Sequence, residues 1–228
     1  MKSISILVFV LVFCEGRYLG LVDDVVPKFM LHTTIHDDIV LEAGESIQLT
    51  CSSKMPGSVS WSYPRQKQPN EVEEPTVTIL EEVVNENGAD QYISKLIVAN
   101  ITTNDTGLYK CSYVISSYDV YVFVSDPTEL FQEEHAGIRQ PLTGFSRSYV
   151  EFPCAVNNPN TTVELLDDSG HGNFIPVPVD GKKCTYDPKT GFTLSKLHIR
   201  DSGAYTCKAT YGEHEERKEF YLHVLRGN

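Results

Sequence analysis

Apolar and polar residues alternate in short stretches along the chain. Ser46-Ile47-Gln48-Leu49-Thr50-Cys51 sends Ile47, Leu49 and Cys51 to one side, the two-residue period of a half-buried strand. Asp119 to Val124 repeats the pattern, with Val120, Val122 and Val124 on one face and Tyr121 and Phe123 on the other. Lys95-Leu96-Ile97-Val98 predicts a further strand, and Asn85-Glu86-Asn87-Gly88 predicts a tight turn. No segment holds a helical period over a helical length, so the chain is predicted to be all-β.

Two segments end in the same wording. Asp105-Thr106-Gly107-Leu108-Tyr109-Lys110-Cys111 follows Cys51 and Trp61, and Asp201-Ser202-Gly203-Ala204-Tyr205-Thr206-Cys207 follows Cys154. The repeat length is about a hundred residues, the size of an immunoglobulin-type sandwich. A Tyr two residues before the second Cys forms a tyrosine corner, its hydroxyl bonded to upstream backbone. Gly107 and Gly203 are expected to permit a tight backbone there. The Cys faces inward with the Tyr and meets a Cys on an opposing strand. The expected bridges are therefore Cys51 to Cys111 and Cys154 to Cys207. Trp61 is expected to lie against the first bridge, and Leu165 to take that place in the second segment. The fold predicted is two tandem immunoglobulin-like β-sandwich domains, 17–125 and 126–228. Pro127 cannot continue a central ladder, so the boundary falls near Val124-Ser125-Asp126-Pro127.

Lys2, the apolar run Ile4 to Phe13 and the small residues around Glu15 make residues 1–16 an expected cleaved signal peptide. No later run reaches the ~18 apolar residues of a membrane helix, so secretion is the expectation. Of six cysteines, removal of Cys14 leaves an odd number. Cys184 is then a buried thiol, an intermolecular link or a rival partner for Cys154. Sequons at Asn100, Asn104 and Asn160 are candidate glycosylation sites.

Nineteen Lys and Arg against 31 Asp and Glu give a net charge of −12. That balance disfavours nucleic acid and anionic membranes as partners and fits a soluble protein or one that meets a basic partner. No nucleophile elbow, phosphate loop or dinucleotide fingerprint occurs. His32 and His36 lack a zinc-binding helix motif, and His171 lies between glycines, so no metal, cofactor or catalytic site is expected. The glutamates at 71, 73, 74, 81, 82, 213, 215 and 216 read as solvated charge, with 213–216 as an alternative contact for a basic partner.

The local wording of the second segment adds a resemblance. Phe152-Pro153-Cys154-Ala155-Val156-Asn157-Asn158-Pro159-Asn160-Thr161-Thr162-Val163-Glu164-Leu165 resembles the opening of the second immunoglobulin domain of vascular endothelial growth factor receptors. Tyr186-Asp187-Pro188-Lys189-Thr190-Gly191-Phe192 resembles a segment shared with platelet-derived growth factor receptors. Tyr121-Val122-Phe123-Val124-Ser125-Asp126-Pro127 is similar to their domain junction, and Cys207-Lys208-Ala209-Thr210 continues the match. The resemblance implies a partner: a dimeric cystine-knot growth factor, bound by a largely apolar face of domain two. It implies contacts at Ile138, Pro141 and Leu142 before the second strand, at Gly203 and Ala204 in the turn, and at Phe220 and Leu222, with Tyr221, on the last strand. The same residues are open to a second reading, in which they fill the sandwich. The implied function is growth-factor capture by a secreted trap, carrier or receptor fragment. The rival is an adhesion or immune-recognition protein with a cell-surface partner.

Overall fold

The computed structural model describes residues 38–53, 57–64, 77–86, 89–113, 116–132, 139–168 and 174–227, with short strands at 12–13 and 28–31. The described residues form strands, turns and two short 3-10 turns, with no α-helix. The chain divides into two compact units, Met1–Val124 and Ser125–Asn228. Apart from the backbone pairing of Val12–Phe13 with Leu31 and Met30, the expected signal segment lies outside the described residues.

Unit one holds β1 (Val12–Phe13), β2 (Lys28–Leu31), β3 (Ile39–Glu42), β4 (Ile47–Ser53), β5 (Ser60–Ser62), β6 (Val77–Glu86), β7 (Ala89–Val98), β8 (Gly107–Tyr113) and β9 (Ser116–Ser125). They make two sheets, ordered β1-β2-β4-β7-β6 and β3-β9-β8-β5. The alternation in β4 aims Ile47, Leu49 and Cys51 into the core beside Trp61, Leu96 and Tyr109. Cys51 bridges Cys111. Val122 and Val124 join that core. Phe123, expected on the opposite face, is also buried and stacks on Tyr121 with ring centroids 4.8 Å apart.

Unit two holds β10 (Gln140–Phe145), β11 (Tyr149–Phe152), β12 (Thr162–Asp168), β13 (Phe174–Pro176), β14 (Cys184–Asp187), β15 (Gly191–Ser195), β16 (Gly203–Tyr211) and β17 (His214–Leu225). Its sheets are ordered β10-β17-β16-β12-β13 and β11-β15-β14. Cys154 bridges Cys207 within a core that includes Phe152, Leu165, Phe192, Tyr205, Phe220 and Leu222. Phe152 packs against Tyr205 at 5.0 Å and edge-on against Phe220 at 5.6 Å. Each fully buried aromatic ring of this kind contributes roughly 1.5–3 kcal/mol through removal from water.

The units share one construction. Trp61 pairs across with Cys111, and Leu165 pairs across with Cys207, so Leu165 stands in the register position of the indole. Tyr109 donates its hydroxyl to the Asp105 carbonyl at 2.9 Å, and Tyr205 donates to Asp201 at 2.9 Å. The turn Asp caps from its side chain, accepting the N–H of Thr102 in one unit and of His198 in the other, each at 2.8 Å. The hydroxyl after it secures the last strand: Thr106 Oγ1 accepts the Val124 N–H, and Ser202 Oγ accepts the Val224 N–H, each at 2.9 Å.

The two turn glycines differ from expectation. Gly107 sits at φ 146° with Pro64 Cγ 2.8 Å from where a Cβ would be, a place that favours glycine. Gly203 has open space and no positive φ, so the backbone makes no demand for glycine there. The demand in unit two lies at Gly191, at φ 102°, where a Cβ would stand 2.2 Å from the Phe152 carbonyl oxygen.

Candidate functional site

Strand β17 alternates strictly. Phe220, Leu222 and Val224 are buried, while Tyr221, His223 and Leu225 are exposed. Strand β10 runs parallel beside it, with Pro141 opposite Tyr221, Thr143 opposite His223 and Phe145 opposite Leu225. On the other side, β16 sets Ala204 opposite Tyr221. Paired residues project to the same side of a sheet. Pro141, Tyr221 and Ala204 therefore form one outward apolar row, and Phe145 with Leu225 forms another, about 13 Å along the strands at ~3.3 Å per residue. Ile199, in the 3-10 turn Ile199–Asp201 before β16, is exposed as well.

The predicted contact residues separate on this geometry. Pro141 is exposed and Ala204 half-exposed, both on the outward face. Gly203 lies at the start of β16. Phe220 and Leu222 are each 0% exposed, which corrects their assignment to a contact surface: the strand period turns them into the core. Tyr221 between them is 47% exposed and lies on the outward face. Leu142 packs against the core from the edge, opposite Leu222, and is likewise an inward residue. Ile138 lies outside the described residues. Phe145, Leu225 and Ile199 escaped sequence reasoning. Their signal was the same alternation that revealed the core, read for its outward half.

Two models of one receptor family together match most of the chain. "VEGFR1-3, N-terminal Ig-like domain" covers residues 27–134, and "Vascular endothelial growth factor receptor 1-like, Ig-like domain" covers 146–225. The chain belongs to the vascular endothelial growth factor receptor family. Human vascular endothelial growth factor receptor 1 is 27% identical over 86% of this chain and 14% of its own length. The mouse receptor 2 is 28% identical over 100% of this chain and 16% of its own length. The zebrafish receptor kdr-like is 35% identical over 58% of this chain and 10% of its own length. The chain thus matches only about one-tenth to one-sixth of the length of these curated receptors, in their immunoglobulin-like portion and not their kinase region.

Glu216 is not idle surface charge: its Oε2 accepts the N–H groups of Leu130 and Phe131 at 2.8 and 3.3 Å. Glu215 pairs with Lys208 and Arg217, and the Arg217 hydrogen bond, with that of Lys208, holds its carboxyl below the usual range. Glu82 pairs with Lys95. Buried Lys218 sets its ammonium 4.8 Å from the centre of the Phe131 ring. Glu71, Glu73, Glu74, His32, His36 and His171 lie outside the described residues, and among the described residues no group of three metal-ligating side chains converges.

Cys184 is a buried free thiol, and burial pushes its pKa up, which suppresses the reactive thiolate. It pairs with Leu194 of β15, which pairs with Val150 of β11. Cys154 itself is bridged to Cys207. Cys184 is therefore not a rival partner for Cys154 in this fold. Its full burial also withholds it from an intermolecular link.

Proposed function

We propose that this chain is a secreted or ectodomain-derived protein that captures a dimeric cystine-knot growth factor of the vascular endothelial or platelet-derived class. The contact would run through the outward face of β10, β17 and β16 in unit two. The observation that carries this reading is the exposed apolar pair of rows, Pro141-Tyr221-Ala204 and Phe145-Leu225, on a sheet whose opposite face is the core. Clustered exposed apolar residues on one sheet face of a strongly acidic protein are consistent with a partner site. Membership in a growth factor receptor family supplies the class of partner.

The mechanism is burial of this face against one pole of the ligand, with Tyr221 as the central anchor. A standard interface of roughly 1,600 Å² suffices for stable capture when a few aromatic anchors dominate. Tyr221 suits that role, having a large apolar ring, few rotatable bonds and a hydroxyl for the rim.

The test is surface plasmon resonance of the purified chain over immobilised growth factors of this class. Saturable binding that Tyr221→Asp removes, with the melting temperature unchanged, supports the proposal. Binding that survives Tyr221→Asp moves the contact elsewhere. Absence of binding by folded protein, with self-association in its place, selects the adhesion reading.

A further inference from the structure

Most sheet edges among the described residues are short or interrupted. The terminal strands β1, β3, β5, β11, β13 and β14 run for two to four residues, and β10, of six, carries Pro141. Short length and Pro both discourage a further strand from adding on. β6 is the exception. It ends its sheet, and its ten residues pair with β7 without a break, from Val77 opposite Val98 to Glu86 opposite Ala89. It holds no Pro, no Lys and no bulge. Among the described residues no strand lies along its other side.

The side chains of this edge are apolar on both faces. Leu49 pairs with Leu96, and Leu96 with Ile79, so Ile79 continues an inward row. Leu49 and Leu96 are 0% exposed, yet Ile79 is 46% exposed. Val83, on the same face, is 58% exposed, and Leu80, on the opposite face, is 49% exposed. A sheet that stops on such residues leaves apolar area in water that one more strand would cover.

The charges of β6 select how a copy of itself could add. A two-fold axis between antiparallel copies must pass through a residue, because hydrogen-bonded and non-hydrogen-bonded pairs alternate along the ladder. Centres at Glu81 or Glu82 set like carboxylates directly opposite, which is destabilising. A centre at Leu80 sets Leu80 opposite its own copy, Val77 opposite Val83, Ile79 opposite Glu81 and Thr78 opposite Glu82. No carboxylate then faces a carboxylate, and Glu82 is already paired with Lys95 of its own chain. Centres nearer either end bring fewer apolar residues together.

We infer that unit one self-associates through β6, a second copy laying its own β6 antiparallel on this edge and continuing the sheet across the two-fold. The occupant is a second copy because the edge complements itself in backbone, apolar side chains and charge. Two chains of net charge −12 repel at long range, but salt at about 0.15 M screens charges more than ~8 Å apart. One strand pair is a small interface, so the dimer is weak, with a dissociation constant of about micromolar or poorer.

Sedimentation velocity of the full chain, with no growth factor present, tests this over about 1 to 300 µM. The proposed growth-factor face lies in unit two, so failure of either reading leaves the other standing. The dimer fraction is expected to rise with concentration. Leu80→Lys sets two ammonium groups opposite each other and is expected to weaken association at least about tenfold, with the melting temperature unchanged. Val40→Lys makes the same change at an exposed residue of β3 and is expected to leave association intact. Mild oxidation is expected to cross-link the Leu80→Cys variant into a dimer, because directly opposed Cα atoms lie about 4.5–5.5 Å apart. Thr78→Cys should not cross-link, since its own copy is displaced by about 13 Å along the strand. Should Leu80→Lys lower the melting temperature, the cross-linking pair decides alone. A monomer at every concentration, association unaltered by Leu80→Lys, equal loss in Val40→Lys, or cross-linking of Thr78→Cys in place of Leu80→Cys overturns the inference.

Discussion

Single residues decide how the turns before β8 and β16 are held. Asp201 and Tyr205 together fix the second of these: the Asp side chain caps backbone, and its carbonyl accepts the Tyr hydroxyl. Tyr205→Phe removes one largely buried hydrogen bond and is expected to cost about 1 kcal/mol, read as a shift in the urea midpoint. Burial opposes the charge on Asp201, but the Lys183 ammonium and the His198 N–H outweigh it and hold the carboxyl below its usual range. A depressed carboxyl stabilises the fold above its unfolded value of about 3.9, and that contribution is lost as pH falls through the native value. The destabilisation caused by Asp201→Asn is therefore expected to be present at pH 7 and to shrink toward pH 3 in parallel urea titrations. An equal difference at both pH values would show that the charge contributes nothing. The sequons are a residue-scale question as well. Asn100, Asn104 and Asn160 are all exposed, and Asn100 already holds the left-handed φ that Asn tolerates. Enzymatic deglycosylation in heavy-oxygen water, followed by mass spectrometry, is expected to label Asn160 and at least one of the other two.

Strands assign neighbouring residues to opposite fates. On β17, Tyr221 and Leu222 are adjacent in sequence yet lie on opposite faces of one sheet. Leu222→Asp puts a carboxylate among Phe220, Leu142 and the bridge of unit two and is expected to unfold the unit, since an unpaired buried charge costs several kcal/mol. Tyr221→Asp is expected to change stability by under about 0.5 kcal/mol while removing growth-factor binding. Circular dichroism melts run beside the binding assay separate the two outcomes, and loss of fold in both variants would make the outward row part of the core. The element scale also settles Cys184. On β14 it faces inward, so it is expected to resist maleimide in native buffer and to react in urea. The Cys184→Ser variant should titrate one thiol fewer under those conditions.

At the scale of the whole molecule, each unit carries its own core and its own bridge. Each bridge closes a loop of more than fifty residues, with separations of 60 and 53, and stabilises by about 4 kcal/mol in the chain-entropy model. A fragment 125–228 is expected to fold alone with a cooperative melt, and its Cys154→Ala/Cys207→Ala variant to lose 2 to 5 kcal/mol, about the range for a small domain. A non-cooperative fragment melt would show that unit two needs unit one.

The linear sequence settled those features that local rules govern. Alternation gave the strands, because a strand shows its two faces every second residue. The repeated Asp-x-Gly-x-Tyr-x-Cys endings gave the sandwich and the expected bridges, because the Cys after a tyrosine corner faces the core, while only the structure removed Cys184 as a rival partner for Cys154. The wording around Cys154 and Gly191 gave the family. Which way a strand turns its two faces depends on what lies across the sheet, so Phe220 and Leu222 were not separable from Tyr221 until the partners of β17 were known. Equally, Gly44 and Arg147 share no sequence motif. Only the matching backbone hydrogen bonds, Gly44 N–H to the Ile101 carbonyl and Arg147 N–H to the Leu197 carbonyl, show that they hold the same place in the two units, because such pairing is set across the sandwich and not along the chain.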